Sequence, residues 1–181
     1  RQTRPERSVS STTLMKIGII GAGQLGRMLA LAGYPLGLRF VFLDQSEDAP
    51  GGQVGRIVRG AFDDKDRLSE LADLVDVITF DVENVPVDAV EAIAARKPFY
   101  PPVRALGSSQ DRLDEKTLFN QLKIPTPPFA PVDSFHELED AALRIGIPGV
   151  LKTRRLGYDG RGQYFVRSQA DLESAWQMLG S

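Results

Sequence analysis

The chain has no cysteine and only one histidine. Without thiols there are no disulfides, thiolate metal sites or cysteine nucleophiles, and a cytoplasmic enzyme is the simplest expectation. A single histidine cannot build a multi-histidine zinc centre. His136 falls in the run Asp133-Ser134-Phe135-His136-Glu137, at a predicted helix start, where a solvent-facing first-turn position is expected. No apolar run approaches the roughly 18 residues of a membrane span. A strong charge of either sign is also missing, the formal net charge being -2. Arg1, Arg4, Glu6 and Arg7 give residues 1–14 a formal +2, so the rest carries -4. A mildly acidic body argues against broad nucleic-acid binding, which depends on neutralising phosphates. It leaves room for a small phosphorylated ligand in a local basic pocket. What is present suffices for a core: 42% hydrophobic and 25% charged residues among 181. That is the composition of one or two globular domains.

Residues 1–14 are polar, rich in Ser and Thr, and without periodicity. They read as a disordered extension, and Met15 reads as a native start. Lys16–Ile20 is a short apolar strand, followed at once by Gly21-Ala22-Gly23-Gln24-Leu25-Gly26 and a predicted helix over 27–32. A second strand, 39–43, ends in Asp44. Strand, G-x-G-x-x-G, helix, strand, acid is the dinucleotide-binding fingerprint in its proper context. Its physical content is an anion site, in which Gly23 lets the backbone approach a phosphate and the helix N-terminus offers free N–H groups. A sugar phosphate satisfies that content as well as a dinucleotide does.

Further along, 53–58 is a candidate short strand, 65–74 has helical spacing and 76–80 reads as a buried strand. That strand runs into Asp81-Val82-Glu83-Asn84-Val85-Pro86. Ligands of open parallel sheets collect at the carboxyl ends of strands. Glu83 and Asn84 sit at such an end and suit sugar hydroxyls or amines. Capping of the next predicted helix, 88–95, is the other reading of the pair. Pro98, Pro101 and Pro102 mark a break. The predicted division is therefore a Rossmann-like parallel-sheet domain over 15–102 and a second domain over 103–181. In the second, helices are predicted over 109–122, 137–145 and 169–179. Pro125, Pro127, Pro128 and Pro131 mark an extended link. Arg112 and Lys116 share a helix face, most simply a solvated one.

The stretch 150–166, VLKTRRLGYDGRGQYFV, carries the most chemistry. Two short strands flank Gly157, Gly160 and Gly162 with Arg154, Arg155 and Arg161. Glycines admit a ligand close to the backbone, and successive N–H groups form an anion-binding concavity. Lys152 adds a point charge suited to phosphate. The functional reading is a flap over a nucleoside triphosphate; the plain one is a β-hairpin turning at Asp159-Gly160.

Four stretches together resemble a known family: IGIIGAGQLGRM (17–28), TFDVENVP (79–86), DRLDEKTLFNQL (111–122) and VLKTRRLGYDGRGQ (150–163). They resemble the 5-(carboxyamino)imidazole ribonucleotide synthases, ATP-grasp ligases of purine biosynthesis, in order and spacing. The resemblance implies a Rossmann-like pre-ATP-grasp domain followed by the first part of an ATP-grasp α+β domain. It implies ATP as cofactor, with Arg112 and Lys152 on its phosphates and Gly157, Tyr158, Asp159, Gly160, Arg161, Gly162 and Gln163 as the flap. Tyr158 and Arg161 become the catalytic candidates, Tyr158 facing the carboxylation centre. Gln24 and Leu25, with Gly23, would hold the phosphate of aminoimidazole ribonucleotide, and Glu83 and Asn84 would lie where that ribonucleotide binds. Bicarbonate is the implied co-substrate and a homodimer the implied assembly. The family runs well beyond position 181, so the resemblance puts the Mg2+ ligands there and makes this chain the N-terminal portion of an enzyme, inactive by itself. Asp81 stands where the family often has Glu, and Leu156 where Gly is frequent. Two other readings are carried alongside. An NAD(P)-dependent Rossmann oxidoreductase explains Gly21 to Gly26 and Asp44 but leaves Lys152 and the flap unused. A non-catalytic nucleotide-binding module is the other.

Overall fold

The computed structural model describes residues 14–157 and 161–180. The chain divides into two compact units, Arg1–Val103 and Arg104–Ser181. The disordered-extension expectation falls, apart from Leu14, outside the described residues.

The first unit is a four-stranded parallel sheet. Its strands are β1 (Lys16–Ile20), β2 (Arg39–Asp44), β3 (Arg56–Arg59) and β4 (Val77–Phe80), in the order β3-β2-β1-β4. Phe99 adds a one-residue parallel bridge beside Ile78 on the outer side of β4. Side chains alternate across a strand, and the register puts Ile17 beside Phe40 and Ile19 beside Phe42. These four belong to one face, where Ala30 of α1 (Gln24–Gly33) completes a packed cluster. On the opposite face, Gly18 leaves just enough room for Leu71 and Val75. Leu71 belongs to α2 (Lys65–Leu74), whose start is fixed by the Asp64 carboxylate accepting from the N–H groups of Asp66 and Arg67. Helices therefore cover both faces, as parallel sheets require. The helix α3 (Val87–Ala94) follows β4, with Pro86 at its N-cap.

The second unit contains α5 (Arg112–Gln121), α6 (Phe135–Ile145), the antiparallel pair β5 (Gly149–Lys152) and β6 (Gln163–Val166), and α7 (Asp171–Leu179). Its core is small: Leu138, Val166, Leu172 and Ala175, flanked by Leu151, Tyr164 and Trp176. One face of the hairpin packs on these; the other exposes the cross-strand pair Val150 and Phe165.

Two sequence expectations need correction. Residues 50–53 form a 3-10 turn, Pro50–Gln53, and the strand starts only at Arg56. The helix expected over 109–122 is two helices, α4 (Val103–Gln110) and α5, parted at Asp111. Asp111 is the N-cap of α5, and its carboxylate accepts from the N–H groups of Leu113 and Asp114. The helix α4 is hidden in sequence because prolines precede it and Gly107 interrupts its pattern. Of the remaining helices, α2 (Lys65–Leu74) begins where expected, α3, α6 and α7 begin one or two residues away, within the usual fraying of helix ends, and α1 begins three residues early, at Gln24.

Candidate functional site

The turn after β1 sits at the carboxyl end of the sheet, held by the Gly21 N–H donating to the Leu43 carbonyl at 2.8 Å. Gly21 has φ +95°, a conformation open mainly to glycine. Gly23, expected to open the backbone to a phosphate, has its own N–H engaged within the chain. The N–H groups of Gly23 and Gly26 donate to Asp81 Oδ2, at 3.0 and 2.9 Å. A Cβ on Gly21 would fall 1.7 Å from Asp81 Oδ1, and one on Gly26 would fall 2.8 Å from Oδ2. The space cleared by the glycines therefore holds a carboxylate from the end of β4. Asp44 completes the lining, its Oδ2 accepting from the Ala22 N–H at 2.8 Å and its Oδ1 from the Ser46 N–H at 2.9 Å. Both Asp44 oxygens thus accept a backbone N–H within the turn region.

Burial raises the Asp81 carboxyl above its ordinary range; the bonds from Gly26 and Gly23 pull it down, and the nearby Asp44 charge pushes it up. Its Oδ1 is buried and accepts no hydrogen bond among the described residues. The first two N–H groups of α1, those of Gln24 and Leu25, have no acceptor among the described residues, and both residues are exposed. Glu83 and Asn84 are exposed in the loop between β4 and α3. Asp81 was legible only as a family substitution; its partners lie 58 and 55 positions away in the chain.

In the second unit the base of the flap is tied to the start of α5. The Arg112 N–H donates to the Arg154 carbonyl at 3.0 Å. The Arg112 guanidinium donates to the Thr153 carbonyl at 2.8 Å and to the Gly157 carbonyl. Arg112 is therefore not part of a solvated helix face; it holds the flap's backbone. In return Arg154 donates Nε to Asp111 Oδ1 at 3.0 Å and lies 2.8 Å from Oδ2. Asp111 is the buried acid of this unit. Burial works against its charge, but the Arg154 hydrogen bond and the two helix N–H groups outweigh it and hold the carboxyl below its ordinary range. The glycines again serve close packing: a Cβ on Gly157 would fall 2.8 Å from the Arg161 carbonyl, and one on Gly162 2.5 Å from Thr153 Oγ1. Leu156 adopts φ +62°, the conformation that makes glycine the easier residue there. Lys152 ends β5 opposite Gln163 and is exposed, as is Arg161. Tyr158, Asp159 and Gly160, and with them the turn expected at Asp159-Gly160, lie outside the described residues. Lys116 sits over the Phe129 ring at 5.3 Å. The His136 side chain is exposed on the first turn of α6, as expected.

Among the described residues no group of three or more His, Asp or Glu is placed to hold a metal ion, and no helix is long and apolar enough to cross a membrane.

Residues 14–110 match the family model of the ribonucleotide synthetase preATP-grasp domain. The chain belongs to this family. Residues 117–181 match the ATP-grasp domain, so the preATP-grasp sheet is followed by the first part of an ATP-grasp domain. Among curated relatives, the N5-carboxyaminoimidazole ribonucleotide synthase of Pseudomonas aeruginosa is 50% identical over 167 residues, covering 92% of this chain and 46% of the relative. The crystal structure of N5-carboxyaminoimidazole ribonucleotide synthetase from Thermus thermophilus aligns with a TM-score of 0.82 at 51% identity, covering 91% of this chain and 44% of that one. A structure of N5-carboxyaminoimidazole synthase from Aspergillus clavatus, in complex with ADP and 5-aminoimidazole ribonucleotide, aligns with a TM-score of 0.81 at 29% identity over 91% of this chain and 44% of that one. The chain thus spans about half the length of these preATP-grasp relatives.

Proposed function

We propose that the whole protein uses ATP to carboxylate 5-aminoimidazole ribonucleotide with bicarbonate, giving N5-carboxyaminoimidazole ribonucleotide, ADP and phosphate. In this reading the N–H groups of Gln24 and Leu25 receive the ribonucleotide's phosphate, and Gly23 supplies the turn that exposes them. Glu83 and Asn84 meet its sugar or amine. Lys152, Arg112 and the flap 157–163 hold the phosphates of ATP. ATP first transfers its terminal phosphoryl group to bicarbonate, and the ribonucleotide's amine then takes the carboxyl from the resulting carboxyphosphate. Charge builds on the transferring phosphoryl group, so fixed cations such as Lys152 and Arg161 stabilise it best where water is excluded. Tyr158 is assigned to the carboxylation centre. Mg2+ is the expected companion of the nucleotide, and the resemblance puts its ligands beyond position 181. We further infer a cytoplasmic homodimer.

The observation that carries this reading is the pair of open N–H groups, Gln24 and Leu25, on a preATP-grasp unit whose relative was solved with ADP and 5-aminoimidazole ribonucleotide. The test is ADP release by the full-length enzyme, expected only when bicarbonate and the ribonucleotide are both present. Removing the charge of Lys152 should cost on the order of 2–4 kcal/mol in the transition state. Lys152→Met should therefore lower turnover by roughly a hundredfold or more. ADP release indifferent to the ribonucleotide would overturn the reaction; a Lys152→Met enzyme within about threefold of the parent would remove Lys152 from the site.

A further inference from the structure

We propose that Asp81 is the specificity-determining residue of the glycine turn. By occupying the cradle with its own carboxylate, it limits the turn to one phosphate monoester and excludes the diphosphate of a dinucleotide. The inference rests on the phosphate assignment of Gln24 and Leu25 above and adds to it what the turn refuses.

A G-x-G-x-x-G turn admits a pyrophosphate because its glycines clear space and its N–H groups point into that space. Here each of the three glycines lies against Asp81. Added Cβ atoms would meet its carboxylate oxygens at 1.7 Å from Gly21, 3.3 Å from Gly23 and 2.8 Å from Gly26. Two of the N–H groups, on Gly23 and Gly26, already donate to Asp81 Oδ2. A third, on Ala22, donates to Asp44 Oδ2. A second phosphate group would have to displace a hydrogen-bonded carboxylate and approach two carboxylates at close range. The N–H groups left over, on Gln24 and Leu25, are adjacent in sequence at the first positions of α1. Two neighbouring donors at a helix N-terminus match one phosphate. Asp81 is thus a positioning residue for those donors and a barrier to a larger anion.

The test follows backbone amide signals of Gly23, Gln24, Leu25 and Gly26 by NMR, using the chain as it stands. Ribose 5-phosphate is the monoester probe and ADP-ribose the diphosphate probe. In the wild type, ribose 5-phosphate should move Gln24 and Leu25 and leave Gly23 and Gly26 in place. ADP-ribose should affect these amides at least tenfold more weakly. In Asp81→Ala, ADP-ribose should gain tenfold or more at the turn, with Gly23 and Gly26 now moving. Asp81→Asn keeps an acceptor oxygen in the cradle and should still exclude ADP-ribose. It decides the matter if Asp81→Ala does not fold, since admission of ADP-ribose by Asp81→Asn overturns occupancy as the cause. Equal movement of all four amides with ribose 5-phosphate in the wild type also overturns it, because the phosphate would then be displacing Asp81. So does an Asp81→Ala protein that binds ADP-ribose no better than the parent. If none of the four amides moves with ribose 5-phosphate, the phosphate reading of the turn fails first and takes this proposal with it. If Gln24 and Leu25 move and only the variants disagree, that reading stands and this proposal alone falls.

Discussion

Asp81 and Asp111 are two carboxylates with opposite stories. Each accepts two backbone N–H groups at a helix start, but only Asp111 has an arginine. Burial without a cation raises the Asp81 carboxyl above its ordinary 3.8. In the folded state Asp81 therefore holds its proton to a higher pH than in the unfolded chain. Its stabilising contribution is complete below its ordinary value and is lost as pH rises through the raised one. Asp81→Asn removes that dependence while keeping an acceptor oxygen. Urea unfolding of parent and variant between about pH 3 and pH 7 should show the variant gaining on the parent as pH rises. A constant difference across that window would mean that Asp81 is solvated like a surface acid. Neither acid's role was legible in the sequence. Asp81 appears there as a conservative replacement and Asp111 as the interior of a helix, because a carboxylate's partners are fixed by tertiary approach and not by its neighbours in the chain.

At the level of elements, Asp111 joins α5 to the hairpin. It caps the helix and pairs with Arg154, while Arg112, the next residue, holds the carbonyls on the far side of the same strand end. The Asp111 carboxyl lies below its ordinary 3.8, so its contribution is complete above that value and is lost as pH falls through the lowered one. Asp111→Asn should cost most near neutrality, and the difference from the parent should shrink in acid, the reverse of Asp81→Asn. Exchange of the Thr153 N–H, bonded to the Gly162 carbonyl, reports the same loss locally. If Thr153 exchanges equally in Asp111→Asn and the parent at neutral pH, the clasp does not hold the flap's base. The two strands of the hairpin were legible, bounds included, because strand composition is a local signal. The break at Asp111 was not, because helical spacing runs through it. The left-handed backbone at Leu156 was half legible: the glycine that the resemblance leads one to expect there would suit φ +62°.

Across the whole chain the two units differ in how much core they own. The first buries Ile19, Ile20, Phe42, Leu43 and Ile78 of its four-stranded sheet completely, together with Leu68 and Leu71 of α2. The second has a two-stranded hairpin with Val150 and Phe165 exposed on one face. Two-stranded ribbons are marginal without further strands or covering elements. Amide exchange read by mass spectrometry or NMR should therefore find Ile19 and Phe42 slower than Leu151 and Tyr164 by roughly tenfold or more. Equal protection in the monomeric chain would mean that α6 and α7 suffice to hold the hairpin. The order of elements and the parallel sheet were legible, since buried strands and amphipathic helices alternate along 16–94 at the expected periods. The filling of the glycine cradle was not.

That filling changes what the glycines of the turn mean. Gly21 and Gly26 are usually explained by something that comes and goes, a bound phosphate. Here they make room for a residue of the same chain. Their constraint is therefore permanent and mutual, present whether or not the protein ever meets a ligand. A lineage that shortened Asp81 to a small residue would release Gly21 from part of its constraint, leaving only its backbone angle. One that replaced Gly21 first would have nowhere to put the acid. On this geometry a change at Asp81 must come before any change at Gly21, whose φ of +95° remains a constraint of its own.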